Sequence, residues 1–304
     1  MKALVNIRLI LLLLAMLPAA AVLHAQNPAS KNAALFLMQQ GKPDSALIEI
    51  NKYLAMPGTA TDGDAFMIKG QIYKDLYKKY SPAEPLTYYL DSSVVYLNRA
   101  LNYETDSAQQ IVIRKSMLYV ASRYYNSAAD RLDTLNFEKA EKCYYKYREI
   151  ALTVDPKMNI AVRDIEFLLA LSTVYEDKYN SNKSDTTYRY KAEQIYIKIL
   201  KMDPDNYDGH YRYSLLKWNQ GVDIIFSLPT DATIPQTDSA QDEAVKRFKE
   251  ALPHAEKAYE IRPDRIETLV MLSGIYGCLG EYEKAAKFDE MRRELERRQQ
   301  GKGK

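Results

Sequence analysis

Small, apolar and aromatic residues recur along the chain at helical spacing and in a repeated order. A long or apolar residue precedes a small one, and a tyrosine follows three positions after the small residue. The tyrosines of three such cores lie 51 residues apart, in Lys69-Gly70-x-x-Tyr73, Val120-Ala121-x-x-Tyr124 and Leu171-Ser172-x-x-Tyr175. Small residues let two helices approach closely, and a large ring fills the neighbouring gap. The pattern therefore predicts packed helices rather than strands.

A second helix is predicted after each core by a small residue, an aromatic or apolar residue four positions later and a closing proline, most clearly in Ala192, Tyr196 and Pro204. Proline ends a helix because it lacks the backbone donor and does not fit the helix interior. Each predicted pair leaves an apolar face that only the next pair can cover. The predicted pairs lie near residues 30–56, 62–104, 107–155, 158–203, 207–262 and 266–298.

The last pair resembles a tetratricopeptide repeat over about one full unit, through Leu269, Leu272, Ser273, Tyr276, Gly280, Tyr282 and Ala285. The resemblance implies an all-α fold, a right-handed superhelical solenoid of about six antiparallel helix pairs over residues 26–298, followed by a disordered tail at 299–304. The family unit has about 34 residues, whereas the spacing here is about 42 to 59. We therefore expect extended helices and inserted loops.

Two proline-containing segments are the predicted insertions. They are residues 80–90, with Pro82 and Pro85, and residues 227–239, with Pro229 and Pro235. Both fall between the two helices of a predicted pair, so we expect them on the same edge of the array. Insertions on one face often mark the binding face of a repeat protein.

The first 25 residues have the layout of a cleavable signal peptide. Lys2 and Arg8 precede an apolar run over 9–17 and a small-residue stretch that ends at Ala25. The apolar run is shorter than the ~20 residues that a membrane-spanning helix needs. We expect cleavage after Ala25 and a mature protein that is periplasmic or secreted.

Charge and composition argue against several function classes. Removal of Lys2 and Arg8 changes 42 basic and 40 acidic residues to 40 and 40, and a neutral chain disfavours nucleic acid as a partner. Only two histidines, His210 and His254, follow residue 25, and no phosphate-binding glycine loop or nucleophile elbow is found. We expect no catalytic site, no metal site and no cofactor. Cys143 and Cys278 fall in different predicted pairs, so we expect free and mostly buried thiols.

The family resemblance implies a concave groove lined by the first helix of each pair. Trp218, the only tryptophan, either stacks on a peptide or sugar in this groove or packs under the 227–239 loop. The groove interpretation predicts that Trp218→Ala costs binding without unfolding the protein. The groove candidates are Gln71, Lys74, Asp75, Ser122, Tyr125, Asn126, Thr173, Glu176, Asp177, Tyr211, Trp218 and Asn219.

Asp followed by Ser or Thr recurs five times near predicted helix starts. With a small or apolar third residue, this resembles the O-glycosylation motif of exported proteins of the Bacteroidota. The alternative is helix capping, since Asp and Ser are favoured N-caps. Thr186 and Ser239 lie in the longest polar stretches and are the best glycan candidates.

The resemblance to tetratricopeptide proteins implies a function in binding rather than catalysis. We expect a scaffold or adaptor that holds another protein or peptide of the periplasm or cell envelope. The alternative is a helical solenoid that binds a glycan or a peptidoglycan fragment through its tyrosines and Trp218.

Overall fold

The computed structural model describes residues 29–80 and 87–301, and in these ranges the chain forms α-helices and no strand. The bounds are α1 at 29–39, α2 Pro43–Leu54, α3 Gly63–Tyr80, α4 Thr87–Tyr103, α5 Ser107–Ala129, α6 Phe137–Val154, α7 Ala161–Ser181, α8 Thr187–Met202, α9 Tyr207–Phe226, α10 Ile234–Ile261, α11 Ile266–Cys278 and α12 Tyr282–Gly301. The predicted all-α fold of about six successive helix pairs is confirmed. The predicted signal peptide at 1–25 lies outside the described residues.

The chain divides into two compact units. Unit 1 contains α1 to α5 and α6 from Glu141 onward, and unit 2 contains the first turn of α6 and α7 to α12. In unit 1, α3 packs along α4 and α4 contacts α5; in unit 2, α7 packs along α8, α9 along α10 and α11 along α12. Each unit has its own apolar cluster, around Ile50, Ile68 and Ile72 in unit 1 and around Leu272 and Ile275 in unit 2.

The small residues of the repeated core are contact points between the helices of a pair. A Cβ atom on Gly70 of α3 would lie 2.7 Å from Cγ of Leu97 on α4, and Ser93 Oγ donates to the Gly70 carbonyl at 2.8 Å. In unit 2, Ser214 Oγ of α9 donates to the Ala251 carbonyl of α10 at 2.9 Å. A larger side chain at these points would force the helices apart, so the repeat pattern has a direct packing cause.

Buried tyrosines of the array form hydrogen bonds to carboxylates of neighbouring helices. Tyr124 Oη of α5 donates to Asp91 of α4, and Tyr196 Oη of α8 donates to Glu176 of α7, both at 2.5 Å. Such bonds satisfy the polar tip of a ring whose body lies in the core. Burial first and the adjacent Glu176 second raise the pKa of Tyr196 above its usual value.

Alkaline pH is expected to destabilise unit 2 through Tyr196. Below about pH 10, which is the pKa of a tyrosine in the unfolded chain, the Tyr196 phenol is protonated in the folded and the unfolded state, and it contributes its full share to the free energy of unfolding. Above that pH the unfolded chain loses the proton first, so the free energy of unfolding falls by up to ~1.4 kcal/mol per pH unit. Urea unfolding at about pH 9 and about pH 11 should show a larger loss for the natural protein than for Tyr196→Phe. Equal losses would contradict the assignment.

Prolines follow the ends of three helices, as the sequence predicts. Helices α6, α8 and α10 each end two residues before a proline, at Pro156, Pro204 and Pro263, because the residue before proline disfavours the helical conformation. Asn206 caps α9 by accepting a bond from Gly209 N at 2.8 Å. Residues 203–206, which include Asp203 and Asp205, thus form a turn between the fourth and fifth helix pairs.

The two predicted insertions have different outcomes. Residues 81–86 of the first lie outside the described part of the chain. The second is shorter than predicted, because α10 begins at Ile234 and Pro235 occupies its first turn, where proline is tolerated. Helix α12 also continues to Gly301, which extends it into the predicted tail.

The two cysteines are free, as predicted, but differ in exposure. Cys143 is buried and its Sγ lies 3.8 Å from Ser127 Oγ, whereas Cys278 at the end of α11 is exposed. The prediction of burial was wrong for Cys278, because the last turn of this short helix faces solvent on that side. None of the helices in the described ranges has the length and apolar character needed to cross a membrane.

Candidate binding clefts

Two clefts lie between the first helices of adjacent pairs, one in each unit. The α3–α5 cleft of unit 1 has a volume of about 300 Å³ and the α7–α9 cleft of unit 2 about 230 Å³. First helices are the elements that the sequence predicts to line a groove. Both clefts include predicted groove residues, namely Gln71 and Lys74 in the α3–α5 cleft and Glu176 and Asn219 in the α7–α9 cleft.

The α3–α5 cleft is basic and contains one aromatic ring. Lys74 and Lys78 of α3 and Lys115 of α5 line it with Tyr119. The Tyr119 ring has Lys78 Nζ 5.2 Å and Arg123 Cζ 4.7 Å from its centroid, distances at which cations and aromatic faces attract. This arrangement gathers several positive charges around one tyrosine.

The positive charge of this cleft is not balanced by neighbouring carboxylates. Asp75 lies 3.3 Å from Lys78, and in the described ranges it is the only carboxylate within ion-pair distance of Lys74, Lys78, Lys115 or Arg123. Burial lowers the pKa of Lys74, with Asp75 opposing and Lys78 adding to that shift. An anion bound in the cleft would therefore stabilise the charged form of Lys74.

The α7–α9 cleft has a mixed lining of carboxamides, a tyrosine, charged groups and aliphatic side chains. Asn180, Asn219 and Gln220 supply carboxamides, and Tyr179 supplies a ring. Lys183 of the loop after α7 and Asp223 of α9 also line it and form an ion pair at 2.6 Å. Hydrogen-bond donors and acceptors of several kinds thus converge on one small space.

Glu176 is the other carboxylate of the α7–α9 cleft. Burial raises its pKa, and the hydrogen bond from Tyr196 and the charge of Arg212 offset only part of that effect. One of its oxygens accepts the Tyr196 bond. Glu176 therefore combines a packing role between α7 and α8 with a position in the cleft.

Other predicted groove residues bond within the helix array and line neither cleft. Ser122 Oγ donates to the Tyr119 carbonyl of its own helix at 2.7 Å. Thr173 Oγ1 accepts a bond from Arg212 Nη1 at 2.9 Å. Asp75 pairs with Lys78 as described, while Asn126 and Asp177 are exposed.

The predicted aromatic groove residues serve helix packing. The Tyr125 ring lies 5.2 Å from that of Tyr147 on α6, and Tyr211 stacks on Tyr207 at 5.9 Å. Neither ring lines either cleft.

Trp218 packs against α11. A Cβ atom on Gly274 would lie 2.4 Å from Trp218 Cζ2, so the indole fills the space left by a glycine. The ring belongs to the apolar cluster around Leu272 and Ile275. Its buried Nε1 has no hydrogen-bond partner within the described ranges. The indole is thus a packing element of unit 2.

Lys217 is a buried ion-pair centre that the sequence analysis did not identify. Its Nζ lies 2.7 Å from Glu193 Oε1 of α8 and 3.0 Å from Glu250 Oε2 of α10, and 5% of its side chain is exposed. Burial acts to lower the pKa of Lys217, but the two carboxylates hold it above the usual value. The available signal was Ser214-x-x-Lys217, in which lysine stands where the other cores have tyrosine.

The candidate glycosylation residues are both exposed but differ in setting. Thr186 directly precedes α8, whereas Ser239 lies within α10 and not in a loop. Among the related Asp-Ser sites, Asp106 caps α5 by accepting a bond from Gln109 N at 2.9 Å. Helix capping thus explains the Asp-Ser sequence at Asp106 and Ser107.

The two histidines contact each other at the junction of α9 and α10. Their Nδ1 atoms are 2.9 Å apart, and His210 Nε2 lies 2.9 Å from the Pro204 carbonyl. Burial and the neighbouring His210 lower the pKa of His254 to about 4. No cluster of three or more His, Cys, Asp or Glu residues suited to a metal ion occurs in residues 29–80 and 87–301.

No protein-family model and no curated protein matches the chain. Among solved structures it is similar to a MamA protein, at 13% identity and a TM-score of 0.34 over 77% of this chain and 94% of that one. It is also similar to the TPR2AB domain of yeast Sti1 in its pHSP90 complex, at 13% identity and a TM-score of 0.29 over 90% and 91%.

Proposed function

We propose that this protein is an exported helical-repeat scaffold of the periplasm or cell envelope, and that its α3–α5 cleft holds an acidic segment of another envelope protein. The observation that carries the proposal is the unbalanced charge of that cleft. Lys74, Lys78 and Lys115 line it with Tyr119, Arg123 lies over that ring, and Asp75 pairs with Lys78.

An acidic peptide segment fits the physical chemistry of this cleft. Its carboxylates would offset the burial that lowers the pKa of Lys74, and its apolar atoms would contact the Tyr119 ring. Complementary charge also speeds association and excludes basic partners. The near-neutral sequence, with 42 basic and 40 acidic residues, favours such a local contact over the extended basic face that nucleic acid requires.

Export is supported by the sequence of residues 1–25, with its basic start, apolar run and small residues before Ala25. A periplasmic or secreted location follows from that pattern as part of the proposal. We assign Trp218 a packing role, because its indole packs on Gly274 of α11.

Charge reversal in the α3–α5 cleft is expected to weaken binding of a fluorescent Asp/Glu-rich peptide by at least about tenfold. The test variant is Lys74→Glu/Lys115→Glu. Its matched control is Lys198→Glu/Lys201→Glu, which changes two exposed lysines of α8 in unit 2 and alters the net charge equally. Fluorescence anisotropy measures the affinity, which should fall with added salt.

Equal weakening in the two variants would show a general charge effect and contradict the assignment to this cleft. The same variants also test whether the protein binds a partner protein of the cell envelope through this cleft. Pull-down from envelope extract should recover a protein in stoichiometric amount with the natural chain and with the α8 control. Recovery of the same protein by the cleft variant would also contradict the proposal.

A further inference from the structure

The α7–α9 cleft of unit 2 differs from the basic cleft of unit 1 in the chemistry of its lining. It is more enclosed, and its accessible lining is more polar than apolar. The carboxamides of Asn180, Asn219 and Gln220 and the carboxylate of Glu176 line one space. These groups offer donors and acceptors to a ligand without a surplus of positive charge.

Gln220 is the residue that points most directly to a ligand. It lines the cleft, only 6% of the residue is exposed, and its Nε2 has no hydrogen-bond partner in the part of the chain that the structure describes. A buried donor without a partner costs about 1–3 kcal/mol. A ligand atom that accepts a hydrogen bond from Gln220 would recover that free energy.

The lining also limits the charge of the ligand. A lysine or arginine side chain carries donors only, so it would leave the Gln220 donor unpaired. An anion would face Glu176, and Lys183, the cation that the described part of the chain places in the lining, already pairs with Asp223. A hydroxyl group both donates and accepts. Adjacent hydroxyls can therefore satisfy Gln220 and Glu176 together.

The size of the cleft fits one ring of a saccharide. Its volume of about 230 Å³ lies just below the ~300–1,000 Å³ of pockets for drug-sized ligands, so a single small ring suits it. Tyr179 also lines the cleft, and Arg189 Cζ lies 5.6 Å from the centroid of its ring. A compact polar ligand with an apolar face matches such a lining.

We propose that the α7–α9 cleft binds one neutral sugar unit of a glycan, with Gln220 Nε2 donating to a sugar oxygen and Glu176 accepting from a neighbouring hydroxyl. Asn180 on α7 and Asn219 on α9 supply further hydrogen bonds to the sugar, since a carboxamide both donates and accepts. This site is separate in sequence from the α3–α5 cleft and does not depend on the acidic partner proposed for it.

Saturation-transfer NMR with glucose, galactose, mannose and N-acetylglucosamine tests this site on the purified protein. At least one of these sugars should bind saturably, and Gln220→Met should weaken that binding by about tenfold. The matched control Gln194→Met, at an exposed position of α8, should leave it unchanged. Gln220→Met should not lower the unfolding midpoint in urea, because an apolar side chain of similar size replaces an unpaired buried amide.

Three outcomes would overturn the sugar site. The first is that none of these sugars binds saturably, and the second is that sugar binding survives Gln220→Met. The third is that the cleft binds an asparagine-rich peptide and no sugar, and that Gln220→Met abolishes this peptide binding. The acidic peptide measured on the same proteins separates the two proposals. Its affinity should be unchanged in Gln220→Met and reduced in Lys74→Glu/Lys115→Glu.

Discussion

Replacement of Lys217 by methionine is expected to lower the free energy of unfolding by about 3 kcal/mol. The Lys217 Nζ of α9 lies between Glu193 of α8 and Glu250 of α10, at 2.7 and 3.0 Å. Methionine keeps the packing of the aliphatic stem but leaves the two carboxylates together without their cation. Loss of one partner from a buried ion pair costs more than the pair itself contributes, because the remaining charge stays poorly solvated.

The pH dependence of that loss identifies its cause. Burial acts to raise the pKa of Glu250, but hydrogen bonds from Lys217 and Arg247 hold it below the usual range. The stability from a lowered carboxyl pKa is present above the unfolded value and is lost as the pH falls through the folded value. The difference between Lys217→Met and the natural protein should therefore shrink below about pH 4.5.

Urea unfolding across this pH range measures the effect of Lys217. The control Lys198→Met removes an exposed lysine of α8 and should change the free energy of unfolding by no more than about 0.5 kcal/mol. A difference between Lys217→Met and the natural protein that does not vary with pH would contradict the ion-pair explanation.

Trp218→Ala is expected to destabilise the protein by about 3 kcal/mol. The indole fills the gap over Gly274 of α11, where a Cβ atom would approach Trp218 Cζ2 to 2.4 Å. Its removal opens a cavity in the cluster around Leu272 and Ile275. Cavities in such clusters cost free energy because neighbouring residues relax only partly.

A double-mutant cycle separates this packing role from a ligand role. Gly274→Ala alone should destabilise by about 1–3 kcal/mol through overpacking, but it should have little effect in the Trp218→Ala background, where its methyl group has space. Tyr190→Ala, which removes an exposed ring of α8, is the matched control. Additive effects of Trp218→Ala and Gly274→Ala in urea unfolding would contradict the contact.

The helix pairs were predictable because their signals are local. Gly70 stands where α3 approaches α4, and the closing prolines lie two residues beyond α6, α8 and α10. Small residues and prolines act on the backbone around them, so one segment shows their effect. The surplus length of the repeats was visible in the spacing, and the helices absorb much of it, as in the 28 residues of α10.

The clefts were less predictable because they depend on the helix opposite each residue. Lys74, Tyr125, Glu176 and Trp218 all stand four residues after the small residue of their core, and the resemblance placed them in one groove. Lys74 and Glu176 do line clefts. Trp218 faces a glycine of α11, which lies 56 residues further along the chain. A single repeat does not reveal such a partner.

Hydrogen exchange of the protein with and without the Asp/Glu-rich peptide tests the central claim most directly. Bound peptide should slow amide exchange in α3 and α5, because a ligand that binds the folded state suppresses local opening at its site. The Lys74→Glu/Lys115→Glu variant should lose this effect, and the Lys198→Glu/Lys201→Glu control should keep it. Protection confined to the helices of unit 2, or none at saturating peptide, would contradict the claim that the α3–α5 cleft holds an acidic partner.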